Sequence, residues 1–324
     1  MKFKFRILSI ICIIIMLTSA NASAYENIDN RTYNIRTKIT LENVKSNNFI
    51  IRHSFQREFD SYGIRYLKES IEDKDINKVT LNNHTANLEY NYSNKNVFLD
   101  SRILEIENVP CSRILLKHSD RPYDSDKLKD YSNLDGYLQT NEDKQLIENI
   151  SKNIVGNEQI PYIKAQLIYQ YINTKFQYDE NQHNGDFKET IKSGKGVCSD
   201  FSELFIILAR YNNIPTRLVV GLRVKPENIT NDYKDFSDRK HAWVEFYIEN
   251  FGWLMADPTT YTEKDINNAD RGVNWDGFVN DKNKDHIPLA YNIWENISVQ
   301  YFGECEPFNT KVQYYIKNAN SETK

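Results

Sequence analysis

Apolar and polar residues alternate from Tyr33 to Leu41. Tyr33, Ile35, Thr37, Ile39 and Leu41 fall on one side, and Asn34, Arg36 and Lys38 on the other. A period of two is that of a half-buried strand. Leu88, Tyr90 and Tyr92 repeat it, and Phe49–Phe55, Val97–Ile106 and Ile114–Leu116 are further strand candidates between turn-prone polar residues. Residues 25–117 therefore read as a β-rich domain of sandwich type. Residues 118–135 are polar, contain Pro122 and show no apolar period, so they read as a linker.

From residue 136 the period changes. Thr140-Asn141-Glu142-Asp143 resembles a capping box ahead of the stripe Leu146, Ile147, Ile150 and Ile154, which Gly156 ends. Pro161 opens a second helix with Ile163, Leu167, Ile168, Tyr171 and Ile172 inward, followed by an extended piece with Phe176 and Tyr178. A third helix follows Gly194-Lys195-Gly196-Val197-Cys198-Ser199-Asp200. Phe201, Leu204, Phe205, Leu208 and Tyr211 mark one face, and Ile206 and Ile207 fill much of the rest. A helix so apolar all round belongs in the interior.

After Pro215, Thr216–Val224 reads as a strand and a polar loop runs to Lys240. His241–Ile248 then alternates, with Ala242, Val244, Phe246 and Ile248 on one face and His241, Trp243, Glu245 and Tyr247 on the other. Asn250-Phe251-Gly252 reads as a turn, Trp253–Asp257 as the returning strand, and Pro258 as its stop. Val312–Ile316 is one more alternating stretch.

Candidate chemistry gathers on these last elements. Cys198 falls at the first turn of the apolar helix, where unpaired N–H groups and the positive dipole end favour a thiolate. A nucleophilic cysteine needs a base and a group to orient that base. His241 and Asp257 lie on the two arms of the hairpin. A turn centred on Glu249 places them opposite one another, and one centred on Asn250 makes them diagonal neighbours. Either register puts them on one face, within reach. Asp200 and Arg217 read as structural, pairing with each other or with backbone near the helix.

Gly196-Val197-Cys198-Ser199-Asp200-Phe201-Ser202, Ile214-Pro215-Thr216-Arg217, His241-Ala242-Trp243-Val244-Glu245-Phe246 and Gly252-Trp253-Leu254-Met255-Ala256-Asp257-Pro258-Thr259 together resemble the transglutaminase-like superfamily. The resemblance runs from about Tyr137 to Tyr261. It implies an α+β, papain-like core, a cysteine-bearing helix packed on an antiparallel sheet, within a catalytic domain spanning 136–324. It also implies Cys198 as nucleophile, His241 as base and acid, Asp257 as orienter, and acyl transfer through a thioester. Animal cross-linking members steady the oxyanion with an upstream tryptophan, and no Trp precedes Cys198 here. Tyr178 stands where members often carry tyrosine. It reads either as an oxyanion donor or as a core aromatic, beside the backbone N–H of Cys198 as the other donor.

Composition narrows the setting. Residues 1–24 combine Lys2, Lys4 and Arg6, an apolar run from Ile7 to Leu17, and Ala22-Ser23-Ala24, the pattern of a cleaved signal peptide. That leader carries three basic and no acidic residues, so its loss takes the formal charge from −4 to −7, which argues against nucleic acid as a partner. Cys111, Cys198 and Cys305 then remain. The odd number fits a free Cys198 with Cys111 and Cys305 able to pair. Heavy use of Asn, Ile, Lys and Tyr fits an AT-rich bacterial genome. No zinc or phosphate motif is present. Asp281–Asp285 starts like a calcium loop, but His286 stands where Gly is needed and Asn292 where Glu is needed. No metal or cofactor is expected.

The expectation is a secreted or cell-surface bacterial cysteine enzyme acting on protein or peptide amides, cell-wall peptide among them, and meeting a membrane only through its leader. Hydrolysis is the default outcome, because water outnumbers any amine. The alternatives are a true protein-glutamine gamma-glutamyltransferase and a non-catalytic surface-binding module on the same fold.

Overall fold

The computed structural model describes residues 30–42, 49–56, 64–70, 76–81, 85–91, 97–107, 125–249, 251–259, 273–279, 285–292, 297–301 and 308–319. The leader, Ile114–Leu116, Cys111 and Cys305 lie outside the described residues.

Six strands open the described chain: β1 (Asn30–Glu42), β2 (Phe49–Gln56), β3 (Ile64–Ser70), β4 (Ile76–Leu81), β5 (Thr85–Asn91) and β6 (Val97–Glu107). In β1 the alternating set Tyr33, Ile35, Thr37, Ile39 and Leu41 is buried throughout, as its period requires. The strands β3 and β4 have no clean alternation and were not expected from sequence.

The helices follow: α1 (Ser125–Asp130), α2 (Asn141–Ile154), α3 (Pro161–Lys175), α4 (Phe187–Ser193) and α5 (Cys198–Tyr211), with the short strands β7 (Gln177–Tyr178) and β8 (Lys195–Gly196) around α4. The capping box of α2 forms as expected: Asp143 N–H donates to Thr140 Oγ1 at 3.1 Å and Thr140 N–H to Asp143 Oδ2 at 3.0 Å. In α3 the buried face is Ala165, Ile168, Tyr169, Ile172 and Asn173, rotated from the expected stripe. Ile168 and Ile172 of the expected stripe are fully buried and Ile163, Leu167 and Tyr171 half-buried, while small Ala165 and polar Asn173 carry no apolar signal. The expected linker is partly helical in α1, and the Tyr131 carbonyl just beyond α1 accepts from Thr216 N–H at 2.9 Å.

The remaining strands are β9 (Thr216–Arg223), β10 (Lys234–Asp235), β11 (Lys240–Ile248), β12 (Gly252–Ala256), β13 (His286–Tyr291), β14 (Ile297–Tyr301) and β15 (Asn309–Asn318). They form a four-stranded antiparallel sheet in the order β12-β11-β9-β13, a second in the order β14-β2-β5-β4, and a five-stranded sheet in the order β10-β15-β1-β6-β3. The last two sheets cross the sequence boundary at residue 136. β15 pairs with β1 along its length, Tyr33 opposite Asn318 to Glu42 opposite Asn309, and β14 pairs with β2.

The sheet that carries His241 is buried on both faces. Ala242, Val244, Phe246 and Ile248 pack with Phe201, Leu204, Phe205 and Leu208 of α5. On the other face Trp243, Val219 and Ile287 pack with Tyr33 and Ile35 of β1 and Tyr314 and Ile316 of β15. Each fully buried aliphatic or aromatic side chain contributes roughly 1.5–3 kcal/mol. The central sheet is thus packed between helices on one face and a second sheet on the other.

Candidate active site

Cys198 is the first residue of α5, with extended Val197 before it. The approach is fixed by two glycines. Gly194 ends α4 at φ 68, the left-handed conformation that suits glycine. At Gly196 a Cβ would lie 2.9 Å from Asp200 Oδ2 and 3.2 Å from the Phe201 ring, so only glycine fits beneath the helix start. Asp200, almost fully buried, accepts from Val197 N–H at 2.9 Å, from Gly185 N–H at 3.2 Å and from Asn184 N–H at 3.3 Å, and His183 Nδ1 lies 3.1 Å away. It pins the loop at 183–185 to the cysteine's turn. Arg217 does not pair with Asp200. Its guanidinium binds buried Glu245 at 2.7 and 2.9 Å between the rings of Trp253 and Tyr291.

His241 enters from β11. The register Val244 opposite Ala256 and Ile248 opposite Gly252 is the diagonal one of the two expected, and the pairing ends at Ala256, just before Asp257. Asp257 Oδ2 lies 2.8 Å from His241 Nε2. The other oxygen, Oδ1, accepts from Thr259 N–H at 3.0 Å and from its hydroxyl, and the same hydroxyl lies 3.3 Å from His241 Nε2. With Nε2 taken by the carboxylate, Nδ1 is the ring nitrogen left for another partner. Cys198 and His241 line one cleft of about 480 Å3 together with His183, Ser199, Glu203 and Lys240.

The electrostatics follow from burial and pairing. Burial pulls His241 down, but the Asp257 charge and hydrogen bond outweigh it, the interaction with Cys198 adds to them, and the imidazole is pushed up to about 10. Burial pushes Asp257 up, but His241 and His286 outweigh it and hold the carboxyl well below the usual range. Tyr178 is pushed up to about 12, by burial first and then by the charges of Cys198, Glu180 and Asp257, so its phenol keeps the proton. Its backbone pairs with Gly196, two residues before the cysteine, and its ring meets Phe201 edge-on at 6.5 Å. Burial, with Asp200 and Asp186, raises Glu203 to about 6.

Three groups at this site carried no sequence signal. His286, the first residue of β13, places Nε2 3.0 Å from Asp257 Oδ2. Arg223 Nη1 lies 3.7 Å from the same oxygen and its Nε donates to Asp285 at 3.0 Å. Asn173 donates to the Pro258 carbonyl at 3.2 Å and accepts from Asn274 N–H at 2.9 Å, which ties the chain after Asp257 to α3. Only the sheet, with β9 between β11 and β13, brings His286 to the hairpin.

His241, Asp257 and His286 could also hold a metal ion, since their ligand atoms lie within 4.8 Å of one another. The separations of 2.8 and 3.0 Å to one shared oxygen are hydrogen-bond lengths, and the Arg223 cation beside it already answers the carboxylate charge. The donor set therefore fits two rings donating to one carboxylate better than it fits a cation.

The structure thus brings a cysteine at a buried helix start and a histidine–carboxylate pair on an antiparallel sheet to one cleft, as the sequence resemblance implies. Residues 148–258 match the model of the transglutaminase-like superfamily, and that stretch contains Cys198, His241 and Asp257. This part of the chain is a transglutaminase-like core, a fold whose members are typically cysteine enzymes. A protein from Haemophilus influenzae is 27% identical over 130 residues, 35% of each chain. One from Mycobacterium leprae is 37% identical over 70 residues, 21% of this chain and 24% of that one. The matched region thus spans about a third or less of those relatives. The crystal structure of a candidate cysteine protease from Cytophaga hutchinsonii shares the fold at TM-score 0.53 and 16% identity, covering 90% of this chain and 98% of that one. The periplasmic domain of TgpA from Pseudomonas aeruginosa aligns at TM-score 0.38 and 13% identity, over 74% and 90%.

Proposed function

We propose that this chain is an exported cysteine enzyme that cleaves amide bonds through a thioester. Cys198 Sγ attacks the amide carbonyl. His241 holds the proton taken from the thiol and gives it to the leaving amine. Asp257 keeps the ring oriented and supports its positive charge. The backbone N–H of Cys198, at a helix start, faces the developing oxyanion, and the protonated Tyr178 hydroxyl is a second donor. Water then attacks the thioester and releases the acid. The observation that carries this reading is the 2.8 Å bond from Asp257 to His241 Nε2, which leaves Nδ1 available in the cleft that Cys198 lines.

The substrates we propose are proteins or peptides outside the cell, cell-wall peptide included. Export rests on the leader pattern of residues 1–24. The test is mass spectrometry of Cys198 after exposure to cell-surface extracts. An acyl adduct on Cys198 in wild type and none in Cys198→Ser supports the reading, and new substrate N-termini identify peptide hydrolysis. Ammonia released without amine incorporation identifies glutamine hydrolysis, and amine incorporation identifies transfer. An unmodified Cys198 with no product of any kind contradicts it.

A further inference from the structure

One oxygen of Asp257 serves two histidines. Oδ2 lies 2.8 Å from His241 Nε2 and 3.0 Å from His286 Nε2, while Oδ1 is occupied by Thr259. We propose that His286 is a positioning residue for His241, acting through that shared oxygen: it aims the carboxylate and draws off part of its charge, so that His241 can release its proton to the leaving group. This rests on the reading of His241 as the base.

The surroundings are built for such sharing. A carboxylate oxygen can accept two hydrogen bonds, so His286 must carry its proton on Nε2 to donate. The ring is buried and set edge-on to Trp243 at 4.9 Å, while Trp243 stacks along His241 at 6.1 Å. Its Nδ1 lies 2.8 Å from Asp285 Oδ1. Asp285 is in turn paired with Arg223 and held well below the usual carboxylate range by His286 and Arg223, against its burial. The charged and titratable groups facing the network are therefore Arg223 from β9, Asp285 and His286 at β13, Tyr178 from β7 and Cys198 from α5. The carboxylate is fixed from both sides, and the second donor weakens its pull on the first ring.

Two polar substitutions separate this role from packing. In His286→Asn the short amide takes the place of Nδ1 and still faces Asp285, but does not reach Asp257. In His286→Gln the longer amide places its NH2 near Nε2 and restores the donor. The readout is the ring-nitrogen NMR titration of His241, assigned by its loss in His241→Ala. His286→Asn is expected to raise the titration midpoint of His241 by about one pH unit, with His286→Gln within a few tenths of wild type. An unchanged or lowered midpoint in His286→Asn overturns the proposal, as does an equal shift in both variants. In wild type a proton-bearing Nε2 on His286 near neutral pH is expected, and a bare Nε2 overturns the proposal without any variant. The titration reads the network whether or not Cys198 reacts, so a failed adduct experiment sinks the enzymatic reading and a failed titration sinks only the role of His286.

Discussion

Asp257 Oδ2 meets His241 Nε2 at 2.8 Å at the end of the β11–β12 hairpin, and Thr259, beyond the end of β12, brings its hydroxyl within 3.3 Å of the same ring nitrogen. The Asp257 carboxylate sits just past the end of β12, where the ladder has stopped and Asp257 N–H donates instead to the Gly277 carbonyl at 2.7 Å.

The pair makes stability depend on pH in a defined window. His241 is raised from 6.5 to about 10, so its share is complete below about 6.5 and lost as pH rises through about 10. Asp257 is lowered from 3.8, so its share is complete above 3.8 and lost as pH falls through the depressed value. Asp257→Asn should cost roughly 3 kcal/mol at neutral pH, because it leaves a buried imidazole without its counter-charge. Urea denaturation at several pH values should show the gap between wild type and variant closing above about pH 10. A gap that stays constant there contradicts the pairing.

Glu203 titrates the opposite way from Asp257. Burial raises it from 4.5 to about 6, so the folded state is favoured below 4.5 and that share is lost as pH rises through about 6. Glu203→Gln should therefore raise the melting temperature near pH 7.5 and leave it unchanged near pH 4. Equal melting curves at both pH values would show that water relieves this carboxylate in the cleft.

Tyr178→Phe separates the two readings of that ring. The edge-on contact with Phe201 survives the change, so the melting temperature should hold within a degree or two. Loss of an oxyanion donor lowers kcat, here by an expected tenfold to hundredfold at constant KM. An unchanged kcat leaves Tyr178 a packing residue and the Cys198 N–H as the donor.

Gly196→Ala tests the turn beneath the cysteine. Its Cβ would press on the Asp200 carboxylate at 2.9 Å and the Phe201 ring at 3.2 Å. Both are buried and cannot yield freely, so a loss of roughly 1–3 kcal/mol is expected by denaturation, with a slower Cys198. Wild-type stability would mean that the helix start has slack.

Local periods made much of this architecture legible. The alternation of Tyr33 to Leu41, the capping box at Thr140 and the apolar face of α5 each follow from spacing within one element. Cys198, His241 and Asp257 stood out because the helix start and the hairpin are both local. What stayed hidden depends on non-local pairing. His286 follows a charged run and joins the site only through β9, and β15 returns from the far end of the chain to lie on β1. Arg217 reads in sequence as a partner of Asp200 or of nearby backbone, and the register of β9 on β11 gives it neither, because it sets Glu245 opposite.

The account turns on whether His241 activates Cys198. Iodoacetamide alkylation at about pH 6, where an ordinary thiol is almost wholly protonated, measures this directly when the modified residue is located by mass spectrometry. The account predicts that Cys198 in wild type is alkylated at least tenfold faster than in folded His241→Ala. Equal, slow rates in the two proteins would contradict it.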